Sequence, residues 1–138
     1  MKRLLIFLFI IINIGCQKNN ETYIKHLDGY WEIEKVILAS GEEHVYNYNE
    51  FIDYFNVNDS LKGFRKKLKP TLNGTFETSN DAEEFALKIE NDSLNIHYHT
   101  SFSNWKETIL FANEKELKII NAERNIYIYK SYQPINLN

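Results

Sequence analysis

From Leu27 onward apolar and polar residues alternate in short runs, and clusters of turn-forming residues interrupt them at regular intervals. This is how antiparallel strands half-buried on one face read, and runs at this spacing build a barrel or a sandwich. Trp31, Ile33 and Ile37 alternate with Tyr30, Glu32 and Val36 before Ser40-Gly41-Glu42-Glu43 turns the chain. The stretch from Tyr46 to Val57 is aromatic but irregular, with a helical turn expected over Asn49 to Asp53 and a strand over Tyr54 to Val57. A strand over Gly63 to Leu68 is stopped by Pro70, and Asn73-Gly74 predicts a type I′ hairpin into Thr75 to Thr78, since that turn needs positive φ at both central residues. Strands are then expected over Glu84 to Ile89, Leu94 to Thr100, Lys106 to Ala112, Glu116 to Asn121 and Ile126 to Tyr132, with turns at Asn91-Asp92 and Asn113-Glu114-Lys115. Eight or nine strands joined by tight connections pair as neighbours, and a meander of that number closes on itself and removes its edges. No helix-length amphipathic segment stands out.

The N-terminus breaks this pattern. Lys2 and Arg3 precede an apolar run from Leu4 to Ile14, small Gly15 follows, and then Cys16 opens a polar stretch. That order is the bacterial lipoprotein signal, in which the cysteine is acylated and becomes the first residue of the mature chain. The run is too short to span a bilayer, which takes about 20 apolar residues. The alternatives are a plain secretory signal and an uncleaved anchor. The expected organisation is therefore a signal over residues 1–15, a lipidated Cys16 and polar tether over 16–26, one β domain over 27–132, and a tail over 133–138. A cell-envelope location follows, with the outer membrane as the expected site.

Charge narrows the partners. The chain of 138 residues has 16 basic and 19 acidic side chains, net −3. Removing Lys2 and Arg3 with the signal takes it to −5, which disfavours nucleic acid, whose phosphates attract an excess of Lys and Arg. With a single cysteine no intramolecular disulfide forms, so stability rests on packing, for which nine Phe, nine Tyr and two Trp supply large buried rings.

The first expected strand opens Gly29-Tyr30-Trp31. Glycine, any residue, tryptophan at this place resembles the start of the lipocalin family's first strand, and the chain is similar to the short lipocalin-like lipoproteins of Bacteroidetes-type bacteria. The resemblance implies an all-β, antiparallel, up-and-down lipocalin-like barrel of eight or nine strands with Trp31 closing its floor. It also implies a basic residue late in the last strand packed across that tryptophan. Lys130 is the candidate, where the family usually has arginine, and Arg124 in the preceding turn is the weaker choice.

Alternation proposes an interior. Phe64, Phe76, Phe85, Leu87, Tyr98 and Phe111 are expected to point inward as ligand-binding residues, with Lys66 beside Phe64 and Leu68 to receive an anionic head group. Arg65, Lys67 and Lys69 then fall on the outer face of the one basic cluster. His97 and His99 share a strand face opposite Leu94, Ile96 and Tyr98 and are expected to face solvent. Two histidines at that spacing hold Zn²⁺ only with further ligands; His44 and Glu107 are candidates that nothing brings near, so no metal and no cofactor is expected. No catalytic constellation is present: there is no Gly-x-Ser-x-Gly, no phosphate-binding glycine loop and no His-Glu-x-x-His.

Two functions remain. One is non-catalytic binding of a small apolar or amphipathic molecule inside a membrane-anchored barrel. The other is a filled barrel serving as an interaction module or accessory subunit of an envelope complex, with an unidentified protein partner. Cavity volume separates them, since ligand pockets run to roughly 300–1,000 Å³.

Overall fold

The computed structural model describes residues 19–134; Cys16, the apolar run before it and the last four residues lie outside them. A helix α1 (Asn20–Leu27) leads into ten strands: β1 (Gly29–Ile37), β2 (Glu43–Val45), β3 (Ile52–Val57), β4 (Lys62–Pro70), β5 (Phe76–Thr78), β6 (Glu83–Glu90), β7 (Ser93–His99), β8 (Asn104–Ala112), β9 (Glu116–Asn121) and β10 (Ile126–Ser131). Eight of them form a closed antiparallel barrel in the order β1, β3, β4, β6, β7, β8, β9, β10, with β10 pairing back onto β1. The other two are additions to the wall. β2 extends the β1 ladder where β3 has left it, and β5 pairs with the end of β4 that β6 does not reach.

The helix closes one end. It lies where the sequence predicts a polar tether, because its apolar signature is confined to a single turn-and-a-half, Tyr23, Ile24 and Leu27, facing the barrel. Eight residues are too few to hold a helix alone, so packing and capping maintain it. The Asn19 side chain accepts from the Thr22 amide, and Asn20 Nδ2 donates to the Asp92 carbonyl at 3.0 Å, tying the helix to the β6–β7 turn. Leu27 and Trp31 are buried at the centre of this closure, with Phe55, Phe85, Leu87, Leu94, Ile96, Ala112 and Leu117 around them.

The type I′ geometry expected at Asn73-Gly74 is found at another turn. Asn91 and Asp92 both have positive φ, 48° and 62°, the type I′ requirement. At Asn73-Gly74 only Gly74 does, at 81°. There the Asn73 side-chain oxygen accepts from Thr75 Oγ1 at 2.8 Å, and the Thr71 amide donates to the Thr75 carbonyl at 2.9 Å. The loop is thus a longer one with glycine at its left-handed position. The helical turn expected over Asn49 to Asp53 is also absent; Ile52 and Asp53 already belong to β3.

Candidate functional site

Strand register assigns each side chain to the inside or outside of the barrel, since faces alternate every residue. On β7, Leu94, Ile96 and Tyr98 point inward and His97 and His99 outward; His97 contacts Glu90 and His99 contacts Asn104. On β6, Phe85 and Leu87 point inward opposite Tyr98 and Ile96. These three expected pocket residues are interior, but they are packed against one another in the core.

β4 is the reverse of the sequence expectation. Arg65 and Lys67 point inward, and Phe64 and Lys66 lie outside, where Lys66 Nζ sits 5.4 Å from the Phe64 ring and Tyr54 meets Phe64 edge-on. The strand is amphipathic either way, and the barrel encloses its basic face instead of its aromatic one. The outer aromatic face is covered by neighbouring rings, while interior acids receive the cations. Phe76 is outside too, because β5 is an addition to the wall; its ring stacks on Tyr30 at 5.1 Å. Phe111 is turned outward by a bulge at Leu110 that inserts one residue into β8 and reverses the alternation beyond it. It lies opposite Lys118 and meets Tyr23 of α1.

At the floor, Gly29 starts β1 with φ +138°, and Trp31 is 3% exposed with its indole N–H donating to the Leu27 carbonyl at 2.9 Å. Lys130 does not cover it. The residue opposite Trp31 is Ser131, so Lys130, one position earlier, projects to the outer face opposite Glu32, 4.0 Å from its carboxylate.

Above the apolar floor, a layer of charge crosses the barrel. Arg65 donates from Nε to Glu83 at 2.7 Å, approaches Glu107 at 3.5 Å, and lays its guanidinium 4.8 Å from the centre of the Tyr98 ring. The Tyr98 hydroxyl donates to Glu107 at 3.1 Å. Lys67 Nζ is 2.6 Å from Asp53, whose carboxylate is buried, while the Lys67 side chain is 65% exposed at the barrel mouth. Asp53, Arg65, Lys67, Glu107, Ile119, Tyr127 and Tyr129 line a cavity of about 180 Å³.

The protonation states follow from burial and these partners. Burial disfavours the Arg65 charge, but Tyr98, Glu107 and Glu83 more than offset it, so its pKa is raised and it stays charged. Burial pushes Glu107 up, against the pull of Arg65 and the Tyr98 hydrogen bond. The arginine's close contacts go to Glu83, which leaves Glu107 only the longer one. Tyr98 and Tyr129 are also raised, foremost by burial, and remain neutral hydroxyls.

The sequence profile of the lipocalin-like domain family matches residues 27–119. The protein belongs to this family. The match begins at the residue whose carbonyl holds Trp31 and runs through most of this lipocalin-like barrel. Two solved structures are similar to it. One, described as a lipocalin-like protein from Bacteroides uniformis, is 9% identical and covers 77% of this chain and 98% of that one, with a TM-score of 0.48. The other, an uncharacterized protein from Bacteroides eggerthii, is 11% identical and covers 77% and 99%, with a TM-score of 0.48. No curated protein matches the chain.

Asp53, Arg65, Lys67, Tyr127 and Tyr129 are interior residues that the sequence pattern does not mark, and Glu107, a candidate metal ligand by sequence, joins them. One signal was available. Glu107 shares a strand face with Trp105 and Ile109, so an inward face for that strand carries a carboxylate with it, and a buried carboxylate calls for a cation across the barrel. Among the described residues no group of three or more His, Cys, Asp or Glu is placed to hold a metal.

Proposed function

We propose that this lipocalin-like protein is a non-catalytic binding protein of the cell envelope, held at the membrane by acyl chains on Cys16, whose barrel receives the zwitterionic head group of a small amphipathic molecule. The observation that carries the reading is the cavity of about 180 Å³ lined by two cations, Arg65 and Lys67, and two acids, Asp53 and Glu107. A lining with equal numbers of both signs complements a ligand that carries both. At about 180 Å³ the cavity falls below the roughly 300–1,000 Å³ of a pocket for a whole small molecule and equals roughly six waters at ~30 Å³ each, which limits it to a head group the size of an amino acid and leaves an apolar tail at the mouth. Lys67 is the residue free to exchange partners, because its side chain is largely exposed beyond its contact with Asp53.

Calorimetric titration of the domain from Gln17 onward tests this. The ligand is a short-chain lysophosphatidylethanolamine below its micelle concentration, with O-phosphoethanolamine as the tail-less control. A charge-assisted hydrogen bond contributes roughly 1.5–3 kcal/mol, so Lys67→Met is expected to weaken binding at least ~10-fold, while Lys66→Glu on the outer wall leaves it unchanged. Binding of the lipid alone assigns an amphipathic ligand, and equal binding of the control assigns the head group alone. No heat from either ligand with a folded domain would move the reading to an interaction module, which the packed lower half of the barrel favours.

The anchor is tested separately. Cys16→Ser should abolish incorporation of a labelled fatty acid, because the thiol is the acylation site. Equal label in both proteins would remove it.

A further inference from the structure

A second cavity lies on the outside of the barrel. It encloses about 330 Å³ between the loop leading to β3, the β4–β5 hairpin and the chain following β10, with Tyr48, Phe76 and Tyr132 among its walls and Glu32 and Glu50 among its polar groups. Phe76 and Tyr132 meet at 63° with centroids 6.2 Å apart, forming two sides of a box. Phe76 is fixed from behind by a ladder of rings no barrel requires: it stacks on Tyr30, Tyr30 on Tyr54 at 4.7 Å, and Phe64 abuts Tyr54. Tyr48 is 84% exposed although it lines the cavity.

Its frame is preorganised. Asn49 Nδ2 donates to Glu32 at 3.1 Å and to the Ile33 carbonyl at 2.9 Å, pinning the loop that carries Tyr48. The hairpin opposite is held by the bonds among Thr71, Asn73 and Thr75. Glu50 is neutralised by Lys69 at 2.7 Å, whereas Glu32, half-buried on the barrel wall, has its nearest ammonium, that of Lys130, at 4.0 Å. Aromatic faces carry negative potential and, with a carboxylate beside them, attract cations whose hydration is weak.

We propose that this outer-wall pocket binds a quaternary ammonium group, independently of the barrel interior. The aromatic walls take the methyl-bearing cation by cation–π contact, and Glu32 supplies the counter-charge. The interior cavity balances two cations against two acids, whereas here Glu32 and Glu50 outnumber the one cation, Lys69, so this pocket favours a cation over a zwitterion.

The test is titration of the purified protein with choline and with 3,3-dimethylbutan-1-ol, its uncharged isostere, read by tyrosine fluorescence and by calorimetry. Choline is expected to bind several-fold more tightly than the alcohol, as cation–π contacts with partly exposed rings imply. Tyr48→Ala, which removes an exposed ring and leaves the fold untouched, and Glu32→Gln should each weaken choline several-fold. Lys67→Met should leave it unchanged. Equal affinity for the two compounds, or no choline binding to protein whose unfolding transition is intact, would overturn the proposal. Loss of choline binding in Lys67→Met would also overturn it, by moving the site to the interior.

Discussion

Replacing Trp31 with alanine is expected to cost about 3–5 kcal/mol, the range for deleting a buried aromatic ring. Stabilities of small domains run to roughly 5–15 kcal/mol, so much of the protein would lose its fold near physiological temperature. The size follows from position. Trp31 sits where the helix, the first strand and the closing strand meet, and its indole N–H satisfies the Leu27 carbonyl at the end of α1. Alanine leaves both a void and an unpaired buried acceptor, and the helix, too short to persist without packing, is released with them. Urea denaturation of the two proteins reads the difference directly. A loss below about 1 kcal/mol would show that the ring does not close the barrel.

Replacing Arg65 with methionine is the second large effect. The guanidinium is the shared partner of Glu83 and Glu107, and stripping a buried carboxylate of its cation typically costs about 3–5 kcal/mol. The loss should depend on pH. Glu107 already has its folded-state pKa above the ordinary 4.5, pushed there by burial, and removing Arg65 takes away the main pull in the other direction. A raised folded pKa means that the folded protein holds a proton the unfolded chain has released. The stability linked to that proton is full below the ordinary value and is lost as pH rises through the raised one. The variant should therefore be most impaired at neutral pH and recover as pH falls toward 4.5. Adding Glu107→Gln should restore part of the stability at neutral pH and flatten the profile, whereas a single variant equally unstable at all pH values would contradict the assigned charge state.

These effects trace to a division that only part of the sequence made visible. The barrel was legible because alternation and turn spacing are local properties: Leu94, Ile96 and Tyr98 alternate with Asn95, His97 and His99 and pack as that pattern dictates. Gly29-Tyr30-Trp31 pointed to the floor by a different route, its resemblance to the start of the family's first strand, and Trp31 is buried there. The interior of β4 was not legible, because Phe64-Arg65-Lys66-Lys67 is equally amphipathic with either face inward, and the choice is made by acids on β3, β6 and β8 that are distant in sequence. Phe111 was misplaced by a single bulge, and Lys130 by one step of register against Trp31. The helix eluded the pattern because its apolar stripe comprises three residues, and its stability comes from the barrel it closes. Phe76 illustrates the last kind of error, since a strand that pairs beside the barrel rather than within it has the same alternation as one that lines the interior.

The central claim, a zwitterionic head group held in the charged layer of the barrel, is tested most directly by heteronuclear NMR of the isotope-labelled domain during titration with the short-chain lysophosphatidylethanolamine. Saturable shift changes are expected only in the layer around Asp53, Arg65, Lys67, Glu107, Tyr127 and Tyr129, with Leu27 and Trp31 at the floor unmoved. Changes restricted to the outer wall around Phe64 and Lys66, or a spectrum unchanged at saturating ligand, would contradict it.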